Sequence, residues 1–162
     1  MTKICLISDT HENTTIIRKA VPIIKNLNPD LVVHCGDIIS PPTLDEFKEL
    51  PMRFIFGNND GEKEGLRKKA HELGFGEIDD ELELTLGDKR FYFYHGTKEY
   101  LIDEMAGAQL YDYVCHGHTH RTRDEMIGRT RIINPGAMYM AMKYTFACLD
   151  IEKNLLEFKE VG

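Results

Sequence analysis

The stretch Lys3-Ile4-Cys5-Leu6-Ile7-Ser8-Asp9-Thr10-His11 decides the fold. Lys3–Ser8 reads as a buried strand, and where it ends the chain places Asp9 and His11. In α/β folds, ligands bind where the carboxyl ends of the strands point. Alternate residues there point the same way, so Asp9 and His11 can reach one ion. Four further stretches repeat the arrangement. Leu31–Val33 leads to Gly36-Asp37, Phe54–Phe56 to Gly57-Asn58-Asn59-Asp60, Phe91–Tyr94 to His95-Gly96, and Tyr111–Cys115 to Gly117-His118-Thr119-His120. A chain that repeatedly puts Asp, Asn or His at these points gathers metal ligands in one place.

The intervening segments supply the crossovers. Asn13 can cap a helix over Thr14–Leu27, with Ile16, Ala20, Ile24 and Leu27 on one face; Pro22 inside it predicts a kink or an early end. Leu31–Cys35 is a continuous apolar run, as expected of a parallel strand covered on both faces. Pro41-Pro42 breaks the chain before a short helix near Leu44–Leu50; Met52–Phe56 reads as a strand and Glu62–Leu73 as a helix. Beyond Gly74 and Gly76 the pattern turns to hairpins: Leu82–Leu86 with Arg90–Tyr94, Glu125–Ile127 with Arg131–Ile133, and Tyr144–Ile151 with Leu155–Val161. A helix over Glu99–Leu110 and a strand over Tyr111–His116 lie between the first two. This predicts an α/β fold of two sheets packed face to face with helices on the outer faces. It also predicts one domain over residues 1–162, with no insertion long enough for a cap or lid and a site open to solvent.

At 162 residues the chain can bury roughly 70% of its unfolded surface, so a core needs no staples. The formal charge of −7 disfavours a nucleic-acid polymer as partner, because such binding needs Lys and Arg on phosphates. A small anion stays admissible, since bound cations reverse the sign locally. Cys5, Cys35, Cys115 and Cys148 all lie in strand-like runs without paired spacing and read as buried free thiols of a reducing cytosol. Met1-Thr2-Lys3 leads directly into a strand and no apolar stretch approaches the ~20 residues of a membrane span, which predicts a cytoplasmic protein without a membrane partner.

Each polar motif alone has an ordinary reading: a helix cap for Asp9 or Asn13, a turn for Gly57-Asn58-Asn59-Asp60, a structural histidine for His95. Together they offer oxygen from Asp9, Asp37 and Asn58 and nitrogen from His11, His95, His118 and His120. With Asp37 bridging, such a set suits two metals, each with a position left for water. A structural zinc site would instead be closed and usually rich in thiolates. Mixed nitrogen and oxygen donors suit Mn, Fe, Co, Ni or Zn. Two metals ~3.5–4 Å apart can hold a bridging hydroxide and clamp the entering and leaving oxygens of an in-line displacement. Phosphoryl transfer needs mainly that positioning and charge stabilisation. No Ser or Cys has an evident base partner.

The ordered set D-x-H, G-D, G-N-x-D, H-G and G-H-x-H resembles the calcineurin-like metallophosphoesterases, and the short chain resembles their small stand-alone prokaryotic phosphodiesterases. The resemblance implies a four-layer αββα sandwich and a di-metal hydrolase, with Mn favoured and Ni, Fe, Co or Zn as alternatives. It puts Asp9, His11, Asp37 and His120 on one metal and Asp37, Asn58, His95 and His118 on the other. It further implies a small phosphodiester substrate and homo-oligomers. Asn58, Asp60 and His95 are the candidate catalytic residues, with Asp60 orienting a ligand; Asn58, Asn59 and Arg121 are the candidate substrate contacts.

Two positions depart from the family pattern: Asn59 stands where many members have His, and Ala137 follows Asn134-Pro135-Gly136 where Ser is common. A neutral amide cannot act as a general acid. Hydrolysis should therefore depend steeply on the leaving group, unless His34 or His116 substitutes; both also read as ordinary buried histidines. Alternative activities for the same ligand set are a phosphomonoesterase or nucleotide pyrophosphatase. A different class of reading is a non-catalytic protein-interaction scaffold, the use a retromer subunit makes of this fold.

Overall fold

A computed structural model describes residues 2–162; Met1, named above as the chain's start, lies outside them. The parallel strands β1 (Lys3–Ile7), β2 (Leu31–His34) and β3 (Met52–Phe54) belong to a sheet completed by antiparallel β9 (Tyr144–Asp150) and β10 (Leu155–Val161), in the order β10-β9-β1-β2-β3. The second sheet contains β4 (Glu81–Leu86), β5 (Lys89–Tyr94), β6 (Tyr113–Cys115), β7 (Thr122–Ile127) and β8 (Thr130–Pro135), in the order β4-β5-β6-β8-β7. Its central strands β5, β6 and β8 are parallel, and its edges antiparallel.

Side-chain alternation sorts the apolar residues into three packed layers. Ile4 and Leu6 face the space between the sheets, with Val33, Phe91, Phe93, Ile133 and Leu149. Cys5 and Ile7 point the other way, against Ile17, Ala20 and Ile24 of α1 (Thr14–Asn26), Leu66 and Ala70 of α2 (Lys63–Leu73), and Leu44 and Phe47 of a 3₁₀ helix (Pro41–Phe47). On the far face of the second sheet, Tyr92, Val114 and Ile132 meet Ile102 and Ala106 of α3 (Glu99–Gly107). The result is the four-layer αββα sandwich. Parallel strands in both sheets end on the same side, and the loops that follow them carry the polar motifs.

Several expectations are corrected. Pro22 sits inside α1 without ending it near that residue, because the buried face of Ile16, Ile17, Ala20 and Ile24 holds the helix through the lost hydrogen bond. Asn13 makes no cap; its Nδ2 donates instead to the Met138 carbonyl, 2.7 Å away. The short helix begins on Pro41-Pro42 rather than after them, as proline's fixed φ allows at a helix start. The expectation of four free thiols fails for two: antiparallel pairing sets Cys5 opposite Cys148, and they form a disulfide. Cys35 and Cys115 are free and buried. The bridge removes the cysteine argument for a reducing compartment. Among the described residues no helix is long and apolar enough to cross a membrane.

Candidate metal centre

The loops after β1, β2, β3, β5 and β6 bring the expected ligands together. His11 Nε2 lies 3.0 Å from Asp37 Oδ2. His95 Nε2 lies 3.5 Å from the same oxygen and 3.8 Å from Asp9 Oδ1. His120 Nε2 lies 3.2 Å from Asp9 Oδ1. Two groups have ligand atoms mutually within 4.8 Å: Asp9 with His11 and His120, and Asp9 with Asp37 and His95. Asp9 is thus common to both, while Asp37 reaches a histidine of each. His118 forms the rim; its ring meets that of His95 edge-on at 5.2 Å and its Nδ1 faces Asn58 Oδ1 at 3.1 Å.

The donor set fits cations. Asp9 Oδ1, His11 Nε2 and His95 Nε2 are buried with no hydrogen-bond partner, a state a protein tolerates when another group takes those lone pairs. His95 Nδ1–H donates to the Cys35 carbonyl at 2.7 Å and His120 Nδ1–H to the Met140 carbonyl at 3.2 Å. A carbonyl only accepts, so in the neutral rings the Nε2 lone pairs face inward. Burial pushes the Asp9 and Asp37 carboxyls up, yet the close approach and charge of the surrounding histidines, with hydrogen bonds from Ser8 and the Asn59 N–H, outweigh it. Both stay below the ordinary carboxylate range and are ionised.

The backbone here is forced into unusual shapes. Asp9, His11, Asp37, His118 and His120 all have φ between 41° and 70°, a region costly for non-glycine residues and typical of functional sites. Two glycines permit the close approach. A Cβ on Gly57 would lie 2.1 Å from Asp37 Oδ1, and one on Gly117 2.5 Å from Asp9 Oδ2. Asp60 holds the second loop. Its carboxylate accepts the N–H groups of Asp37, Ile38, Ile39 and Gly57 at 2.9, 2.8, 2.7 and 2.7 Å, so it braces Asp37 from behind.

Asn59 also faces inward: its backbone N–H and Nδ2 donate to the two oxygens of Asp37 at 2.9 and 2.8 Å. His34 accepts the Gly36 N–H on Nδ1 and therefore carries its proton on Nε2, toward Thr10 Oγ1 at 2.9 Å. Burial pushes it down to about 3. His116 donates from Nδ1 to the Gly117 carbonyl, lines a hollow beside α3, and is pushed down to about 4, again by burial. Both histidines are neutral near pH 7, and neither replaces the missing acid. Arg121 is exposed beside His120.

Other partners had no sequence signal strong enough to single them out. Ser8 Oγ and the His118 N–H donate to Asp9 Oδ2 at 2.6 and 3.0 Å. Asn134 Nδ2 donates to the Gly117 carbonyl at 2.9 Å and Thr119 Oγ1 at 3.1 Å, bracing the last ligand loop; its Asn-Pro-Gly setting was the one available clue. Tyr139 stacks on His11 at 4.6 Å.

A family profile, the calcineurin-like phosphoesterase superfamily domain, matches residues 2–154, and the chain belongs to this superfamily. Its members use a di-metal site. The chain is 35% identical over 164 residues to phosphodiesterase MJ0936 of Methanocaldococcus jannaschii, with 98% of each chain covered. A solved structure described as a novel archaeal phosphodiesterase superposes with a TM-score of 0.93 at 33% identity, covering 99% of this chain and 100% of that one. Vacuolar Protein Sorting 29 from Cryptosporidium parvum superposes with a TM-score of 0.70 at 14% identity, covering 99% and 98%, and shares the fold.

Proposed function

We propose that this chain is a divalent-metal-dependent phosphodiesterase acting on small phosphodiesters at a site without a lid. The observation that carries the reading is the convergence of Asp9 Oδ1, His11 Nε2 and His95 Nε2, buried and without a formed hydrogen bond, beside a carboxylate that both groups can share. Similarity to a named phosphodiesterase over nearly the full length supports the choice of diester.

Asp9, His11, Asp37 and His120 would hold one divalent ion and Asp37, Asn58, His95 and His118 a second, with Mn preferred over Ni, Fe, Co or Zn. Bound there, such ions supply Lewis-acid charge and lower the pKa of water. Asp9 and Asp37 supply two negative charges, leaving two dications under-neutralised, so the site attracts a phosphate anion. Asn58 meets its oxygens from the exposed side, and Arg121 is a further substrate contact at the rim. The buried His95 is fixed by the Cys35 carbonyl, and its other nitrogen faces the reaction space.

Among the described residues no side chain is placed to protonate a departing alkoxide. Asn59 is spent on Asp37, and His34 and His116 are neutral and turned elsewhere. The departing oxygen therefore leaves as an anion, which favours acidic leaving groups.

The test is a matrix of metals against substrates on metal-free protein. Hydrolysis of bis-aryl phosphate exceeding that of mono-aryl phosphate, restored by Mn and abolished by chelator, supports the reading. A reversed preference makes the protein a monoesterase; failure to retain any metal makes it a scaffold. Aryl diesters should be cleaved far faster than alkyl ones, and Asn59→His should help the alkyl diesters most. Equal rates for both ester types would remove the role given to Asn59.

A further inference from the structure

The segment Met138–Met142 crosses one flank of the site. The Met138 N–H donates to the Asp9 carbonyl at 3.2 Å, Tyr139 stacks on His11, and the Met140 carbonyl receives His120. This anchoring turns the side chains of Met140 and Met142 outward, where they are 74% and 105% exposed. Both thioethers are thus free to pack against a bound apolar group. They wall a hollow of about 570 Å³ whose other lining includes Thr119, His120, Arg121 and Lys143. The hollow adjoins the candidate metal centre through His120, which belongs to both.

Its lining is cationic. The chain carries −7 overall, yet this hollow is lined by two cations and no carboxylate. Lys143 is paired with Glu160 at 3.0 Å. Among the described residues no hydrogen bond or ion pair takes up the Arg121 guanidinium. A flexible apolar wall of thioethers beside an unpaired guanidinium suits a flat apolar group that carries negative charge: methionine sulfur packs well on aromatic rings, and guanidinium binds carboxylate or phosphate.

We propose that this hollow receives the departing arm of the phosphodiester and selects an aromatic or otherwise flat apolar arm bearing an additional anionic group. The inference rests on the phosphodiesterase reading and deepens it. An enzyme without a proton donor for the departing oxygen gains from binding the arm that leaves, because the binding energy is then applied where charge develops. Arg121, Met140 and Met142 become the residues that set specificity.

Two measurements test it. The first uses methyl aryl phosphates whose aryl arm is neutral or carries a carboxylate, matched in leaving-group acidity. The protein should prefer the charged arm in kcat/KM, and Arg121→Gln should lower that preference about tenfold, the loss expected for one charge-assisted contact. Met142→Ser should raise KM for a naphthyl arm more than for a phenyl arm, by about threefold. The second is independent of turnover. Metal-free protein carrying ¹³C-methyl methionine is titrated with 2-naphthoate, an anionic aromatic arm by itself. Ring-current shifts confined to Met140 and Met142, with buried Met52 unmoved, are expected. Absence of those shifts at millimolar probe, or an Arg121→Gln variant that lowers charged and neutral arms equally, overturns the proposal. If no diester is cleaved with any metal, the activity reading fails, and the methionine shifts alone decide the hollow.

Discussion

The two sheets contribute to the candidate centre unequally. The loops of the first sheet bring both carboxylates, Asp9 and Asp37, together with His11 and Asn58; the loops of the second bring only histidines, His95, His118 and His120. Asp9 and Asp37 are buried to within 1% of fully, and Asp37 sits in a loop tied by three backbone N–H bonds to Asp60. On the other side, His95 is as deeply buried, but His118 and His120 reach in from a more exposed loop braced by Asn134. The carboxylates thus reside in the half braced by Asp60, and the histidines close over them. Removing a carboxylate from the braced half should cost more than removing a histidine from the rim.

That contrast is most sharply tested by a pair of substitutions. Asp37→Asn should lower kcat/KM by at least about 10³-fold, because the bound charge it supports supplies several kcal/mol to the transition state. His118→Gln should cost only about 10²-fold, and metal content should fall in the same order. Equal losses in both assays would break the distinction between the halves.

The Cys5–Cys148 bridge lies in the braced half, on the face away from the second sheet, and joins residues 143 apart. Closing so long a loop stabilises the fold by about 2–5 kcal/mol. The double variant Cys5→Ser/Cys148→Ser should lose that much in denaturant unfolding while metal affinity stays within about twofold. A stability unchanged by the substitutions would show that the bridge contributes nothing.

Each half also holds one buried neutral histidine, His34 in the first and His116 in the second. In the unfolded chain both bind a proton below about pH 6.5; in the folded protein they do so only near 3 and 4, respectively. The unfolded state therefore holds more protons in between. Stability from these groups is full above pH 6.5 and is lost as pH falls toward 4, by on the order of 3 kcal/mol for each ring. The Tm of metal-free protein should fall steadily over that range. A flat profile would mean that the two rings are not held neutral.

A smaller effect is expected from Asp60→Asn. Asp60 touches no ligand atom of the candidate centre, yet its loss should weaken metal binding about 10–100-fold by loosening the Asp37 loop. Unchanged affinity in a calorimetric titration would show that the loop holds itself.

Much of this was legible because alternation is a local property. The continuous apolar run Leu31–Cys35 told that its strand is covered on both faces, and the polar residues after each apolar run told where ligands gather. The Cys5–Cys148 pairing was not legible, since it depends on β9 returning from the far end of the chain to lie beside β1. Nor was the destination of the Asn13 side chain: a cap is a local option, but the Met138 carbonyl, 125 residues away, takes the amide instead. Tyr139, Met140 and Met142 belong to no motif; their importance comes only from the fold laying that segment against His11 and His120. The left-handed backbone at Asp9, Asp37 and His118 likewise has no signature in those residue types, because it is imposed by tertiary contacts.

The central claim is that residues from both sheets share one pair of ions, and electron paramagnetic resonance of metal-free protein titrated with Mn²⁺ tests it most directly. The account predicts saturation at two Mn²⁺ per chain with the spin-coupled spectrum of ions ~3.5–4 Å apart. Saturation at one ion, or a spectrum of two magnetically isolated ions, would contradict it.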